Sequence, residues 1–171
     1  MVDRAGALLG RNYVETTNSP AIWFRLKFWL RCYTIWKESS RMYRTITRQI
    51  EVTVEPNFLP ERSSVEHRQY FWSYTIVITN TGEETVQLRT RHWIITDAIG
   101  RKQVVRGEGV IGKQPVLAPG ERFEYTSEVP LTTASGFMTG RYQMVSESGE
   151  HFEIDVPTFS LDSPDSKRTL N

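Results

Sequence analysis

The sequence holds a single cysteine, Cys32, so no disulfide can form within the chain. It has no surplus of charge: 21 Lys and Arg stand against 20 Asp and Glu, a formal net charge of +1. A dedicated nucleic-acid binder shows a strong basic excess, and nucleic acid is therefore excluded as the expected partner. There is no membrane-spanning run either. The most apolar stretch, 21–36, is shorter than the roughly 20 residues a span needs, and Arg25, Lys27 and Arg31 interrupt it. Those cations, and the lack of a small-residue cleavage site after them, also make it a poor signal peptide. The familiar catalytic strings are missing as well: no H-E-x-x-H, no C-x-x-C, no phosphate-binding P-loop and no G-x-S-x-G. Ser135-Gly136 lies in Thr-Ala-Ser-Gly-Phe, without the preceding glycine, and Cys32 has no histidine near it in sequence. No catalytic residue and no cofactor is expected from these absences.

What is present amounts to 171 residues, 39% hydrophobic and 24% charged, the make-up of a folded chain. The charge is unevenly spread. Residues 1–41 carry seven basic and three acidic residues, and the rest of the chain carries 14 and 17. Trp23, Trp29 and Trp36, three of the five tryptophans, also lie in the first 41 residues. This shift marks a boundary near Ser39-Ser40-Arg41. Within 21–36, Ile22, Leu26, Trp29, Tyr33 and Trp36 follow a helical spacing with Lys27, Arg31 and Thr34 opposite, the pattern of a surface helix. Phe24, Leu26, Phe28 and Leu30 alternate as a strand would, so the period stays ambiguous. The segment 1–41 is expected to be a disordered or loosely docked extension, or not to be translated if Met42 is the true start.

From residue 42 the signals are those of strands separated by turns. Residues 45–55 place Ile46, Ile50, Val52 and Val54 at mostly alternate positions, and 70–79 is dense in aromatic and β-branched residues. Further strands are expected over 85–96, 101–106, 123–129, 137–146 and 151–156, with turns at Asn80-Thr81-Gly82, Asp97-Ala98-Ile99-Gly100, Ala118-Pro119-Gly120 and Ser148-Gly149. About seven short strands with no convincing helix predict an all-β fold, a two-sheet sandwich of immunoglobulin or fibronectin type III kind. The domain is expected over 42–160, followed by a polar tail, 161–171. Trp93 and Tyr74 are expected in the core, and Tyr70, Phe71, Trp72 and Tyr74 read as packing residues rather than a base-stacking platform.

Three groups of residues could carry chemistry. Gly107-Glu108-Gly109-Val110-Ile111-Gly112 spells G-x-G-x-x-G and follows a strand, but Pro115 and Pro119 forbid the helix that a dinucleotide site requires. The string reads as a loop or bulged crossover. The alternative is a nest of backbone N–H groups that binds an anion, helped by Arg106 and Lys113, so that Arg106, Gly107, Gly109, Gly112 and Lys113 form the candidate ligand site. His151, Glu153 and Asp155 fall on one strand face and are candidate ligands for a divalent metal. The plainer account is a solvated face opposite Phe152, Ile154 and Val156. His92 is set on the face opposite Trp93 and reads as a bystander.

The chain from Tyr43 to Pro164 resembles the bacterial ApaG family. The blocks that carry the resemblance include Tyr70-Phe71-Trp72-Ser73-Tyr74, Arg91-His92-Trp93-Ile94-Ile95-Thr96-Asp97, Gly107-Glu108-Gly109-Val110-Ile111-Gly112-Lys113-Gln114-Pro115, and Phe152-Glu153-Ile154-Asp155-Val156-Pro157. The resemblance implies a fibronectin-type sandwich and supplies no catalytic residue. It links the chain to cobalt and magnesium tolerance and to genes beside a diadenosine-tetraphosphate hydrolase. Similar domains in eukaryotic F-box and DNA-polymerase-associated proteins look like protein-interaction modules. Members of the family usually begin near what is Met42 here. The function expected is therefore a non-catalytic module that binds a protein partner in the bacterial cytoplasm. The alternative is a sensor of a phosphate-containing small ligand, such as a nucleotide polyphosphate or pyrophosphate, or of a divalent metal.

Overall fold

The structure is a computed structural model, and it describes residues 41–164 and 166. The expectations for the N-terminal extension, including the apolar stretch 21–36 and Cys32, lie outside the described residues. Among the described residues nine strands follow one another: β1 (Tyr43–Thr47), β2 (Ile50–Phe58), β3 (Tyr70–Asn80), β4 (Val86–Asp97), β5 (Lys102–Glu108), β6 (Val116–Leu117), β7 (Arg122–Leu131), β8 (Ser135–Ser146) and β9 (His151–Asp162). Among the described residues the only helical turn is a 3-10 turn at Pro60–Arg62, and no helix is long and apolar enough to cross a membrane.

All pairings are antiparallel and form two sheets, β1-β2-β3-β7 and β5-β4-β8-β9, with the short β6 also paired to β4. This is the two-sheet sandwich that the strand pattern predicts. Side chains alternate across each strand, so every second residue meets the opposite sheet. β3 shows this along its whole length: Tyr70, Trp72, Tyr74, Ile76, Ile78 and Asn80 are buried and the residues between them are not. The two sheets meet through rings. Tyr74 on β3 contacts Trp93 on β4 and Phe159 on β9, each at 5.8 Å between centroids. Trp93 lies edge-on to Tyr142 of β8 at 5.9 Å and 90°. With no cross-linking disulfide in the domain, this packing is what holds the sheets together.

Two expectations about the strands need correction. Residues 45–55 are not one strand. The chain reverses at Arg48 and Gln49, both at positive φ (47° and 63°), which splits the segment into the β1–β2 hairpin. The strand expected over 151–156 runs on to Asp162, and Phe159 and Leu161 are fully buried. The polar stretch at 161 therefore begins inside the sheet. The extra length is apolar at alternate positions: Ile154 and Val156 face inward, and past a register shift so do Phe159 and Leu161.

The turns are held by side chains. Asp97 closes the β4–β5 turn. Its carboxylate accepts the backbone N–H groups of Ile99 (3.1 Å) and Arg101 (2.9 Å) and the Arg101 Nε at 2.6 Å. Burial alone would raise this carboxyl, but the Arg101 side chain and the two N–H groups hold it below its ordinary range. Buried Asn80 donates to the carbonyls of Glu84 (2.8 Å) and Leu117 (3.0 Å), which ties the β3–β4 loop to β6.

Candidate functional site

The outer face of the five-stranded sheet carries a shallow open depression of about 550 Å³. Register explains its make-up. Arg106 on β5 stands beside His92 on β4, His92 beside Arg141 on β8, and Arg141 beside Asp155 on β9. The next row places Glu108 by Thr90, Thr90 by Gln143 and Gln143 by Glu153. Two rows of polar side chains thus cross four strands on the face opposite Trp93. Thr90 donates to Gln143 at 3.4 Å. Arg141 reaches across to β9, with its Nε 3.1 Å from Asp155 Oδ1 and its Nη1 3.4 Å from Glu153 Oε2. Arg106 makes no ion pair among the described residues. The His92 Nε2 is buried and finds no hydrogen-bond partner among them.

The candidate ligand loop is divided by the structure. Arg106 and Gly107 belong to β5 and border the depression. Gly107 is where the Arg91 guanidinium passes: a Cβ there would lie 3.1 Å from it. Arg91 then donates to the carbonyls of Glu108 (2.8 Å) and Gly109 (2.7 Å). Gly109, Gly112 and Lys113 belong instead to a closed turn that carries the chain from β5 to β6. The Val110 and Lys113 backbones exchange hydrogen bonds of 2.8 and 2.9 Å, and the Gly109 N–H donates to the Arg89 carbonyl at 2.8 Å. Gly109, Ile111 and Gly112 all have positive φ. A Cβ on Gly109 would fall 2.1 Å from the Lys113 carbonyl oxygen, so glycine is needed there for close backbone approach. The G-x-G-x-x-G string thus builds a crossover within one sheet, and its Gly109 and Val110 N–H groups, with that of Lys113 just after it, are already spent.

His151, Glu153 and Asp155 are exposed, while Ile154 and Val156 are buried. Two of the three candidate metal ligands are held by Arg141, and among the described residues no three His, Cys, Asp or Glu side chains lie close enough together to hold a metal ion.

Beneath the same sheet lies a buried tyrosine pair. The Tyr125 and Tyr142 hydroxyls are 2.6 Å apart. Burial pushes both phenols well above the ordinary tyrosine range; Tyr125 raises Tyr142 further, whereas the hydrogen bond to Tyr142 partly offsets the rise at Tyr125. These groups stay protonated and serve packing. Sequence reasoning took His92 as a bystander and passed over Arg91, Thr90, Arg141 and Gln143. Alternation shows which of them face outward, but only the register across four strands shows that they converge.

The family model for the ApaG domain matches residues 60–146. Protein ApaG of Bradyrhizobium diazoefficiens is 82% identical over 130 residues, which is 76% of this chain and 100% of that protein. Protein ApaG of Rhodopseudomonas palustris is 81% identical over 130 residues, with the same shares. Among solved structures, a Bordetella pertussis protein described as ApaA is 50% identical and superposes with a TM-score of 0.67, over 68% of this chain and 95% of its own.

Proposed function

The chain belongs to the ApaG family, and from that premise we propose that it is a non-catalytic binding module whose partner, in the bacterial cytoplasm, is another protein. The bacterial relatives support the setting. The observation that carries the reading is the outer face of the five-stranded sheet. Val104 and Phe137 stand 53% and 43% exposed there, on the face that also bears Arg106, His92 and Arg141. Exposed apolar and aromatic side chains next to arginine are what protein-binding hot spots are made of. The same face offers no assembled catalytic group: His92 has neither a carboxylate nor a hydroxyl partner among the described residues. The test is a photo-crosslinking side chain placed at Phe137 of the full chain in living bacteria. One protein should be captured above background, and Phe137→Glu should abolish its copurification without lowering the melting temperature. Capture of nothing, or copurification of the same protein with the Glu variant, overturns the reading.

A second reading rests on Arg106, which borders the depression, makes no ion pair among the described residues and is able to hold a phosphate-containing anion there. Here the anion site is the sheet face and not the glycine turn. A divalent metal at Glu153 and Asp155 would have to displace Arg141 from both. Thermal unfolding against pyrophosphate, nucleotides, dinucleoside polyphosphates and divalent metals separates these. A ligand at 100 times its dissociation constant adds about 2.7 kcal/mol, and Arg106→Ala should remove the shift if the anion sits on the sheet face.

A further inference from the structure

Each sheet of the sandwich has two edges, and three of the four are closed by the chain itself. β1 and β9, at one side, seal each other: the Thr47 hydroxyl accepts the Asp155 N–H and the Tyr43 hydroxyl accepts the Ser160 N–H, both at 3.2 Å. β7 is blunted by Pro130. The Asn80 N–H donates to the Glu121 carbonyl, and alternation from that bond along the β3–β7 register makes Pro130 one of the positions turned away from β3. The missing donor faces outward there, as it does on an edge that is kept unpaired.

Among the described residues β5 has no such seal and no proline. The Asp97 N–H donates to the Arg101 carbonyl at 3.0 Å, so Gln103, Val105 and Gly107 spend their backbone groups on β4. Lys102, Val104, Arg106 and Glu108 turn theirs outward. These four side chains are exposed. Only the Glu108 carbonyl among the outward groups is already used, by Arg91.

We propose that two copies of the chain pair antiparallel through β5 about a two-fold axis at Val105, joining their five-stranded sheets into one. The sequence Lys-Gln-Val-Val-Arg-Gly-Glu is self-complementary in that register alone. All seven residues overlap, Lys102 lies opposite the partner's Glu108, and Val104 lies opposite the partner's Arg106. Moving the register by two residues in one direction sets Lys102 against Arg106, and in the other sets Arg106 against itself, both like-charge pairs that a sheet disfavours. The backbone groups of Val104 and Arg106 then exchange hydrogen bonds on both sides of the axis. The same axis brings the Ile99 turn beside the Ile111 turn of the second copy. Those two tips, 70% and 53% exposed, are among the large apolar side chains that the isolated chain leaves in water. An isologous contact of this kind closes on itself and does not propagate.

The proposal is independent of the partner surface at Phe137, because it is read on the purified full chain with nothing added. Sedimentation equilibrium across a dilution series should give a dimer that dissociates on dilution. Lys102→Glu or Glu108→Lys alone should weaken it on the order of tenfold or more, since each reversal places two like-charge pairs opposite one another. The double variant K102E/E108K should restore it, which a folding defect would not allow. Hydrogen exchange should show the Val104 and Arg106 amides protected in concentrated wild type and exposed in Lys102→Glu. A monomer at every concentration overturns the proposal, and so does a dimer indifferent to both single reversals.

Discussion

His92 and Trp93 are consecutive on β4, and they belong to different problems. Trp93 is 3% exposed and sits between Tyr74, Tyr142 and Phe159, rings contributed by three other strands across both sheets. His92 is set on the opposite face between Arg106 and Arg141, with its Nε2 buried and unpartnered among the described residues. A pleated strand separates neighbours by the full thickness of the sheet, so one side can be fixed by packing while the other varies with what it must recognise. The inner layer holds the sandwich together without disulfides. The outer layer adds little to folding and is where binding chemistry can be placed.

That division can be broken from the inside first. Trp93→Ala should cost about 3–5 kcal/mol of folding stability, the range for deleting a buried aromatic whose cavity cannot fully collapse. Urea denaturation of the full chain reads it. A loss under 1 kcal/mol would mean the rings do not form one core. Tyr142→Phe is milder. It removes one hydroxyl of the 2.6 Å pair and leaves the Tyr125 hydroxyl buried without it, a loss of about 1–2 kcal/mol at neutral pH. The pair also gives the wild type a pH signature. Burial raises both folded-state pKa values above the unfolded tyrosine value of 10.0, so the protonated folded state is favoured. That stability is complete below pH 10 and is lost as pH rises above it toward the folded values. Tyr142→Phe should flatten the alkaline fall, because one of the two groups no longer titrates.

The inner layer is also the part the sequence announces. Alternation along 70–79 marks every buried residue of β3 in that span, and Trp93 is set inward by the same rule. Two features escape it. The Arg48-Gln49 reversal lacks the Asn-Gly or Asp-Gly chemistry that normally supplies two positive φ values. Its left-handed residues are held from outside the hairpin, by the Thr81 N–H and hydroxyl on the Gln49 carbonyl and by Arg48 over the Phe152 ring, 5.2 Å from its centroid. A local pattern cannot show that. The second is the depression. The sequence offers Gly107, Gly109 and Gly112 as the conspicuous string, yet Gly109 and Gly112 make a tight turn, and the polar side chains that converge do so across β4, β5, β8 and β9. Cross-strand register depends on how four separate segments pair, and no spacing within any one of them encodes it.

The smallest expected effect tests the outer side. His92→Leu keeps the side-chain volume roughly constant and removes a buried ring nitrogen that has no hydrogen-bond partner among the described residues. An unsatisfied buried polar atom is a cost to folding, and removing it with an apolar group of similar shape is neutral or slightly stabilising. The urea midpoint should therefore stay within about 0.5 kcal/mol of wild type or rise, one residue away from a position where truncation costs several times more. A large destabilisation by His92→Leu would place His92 in the folding core with Trp93, and the outer face could then no longer be treated as free to evolve for recognition.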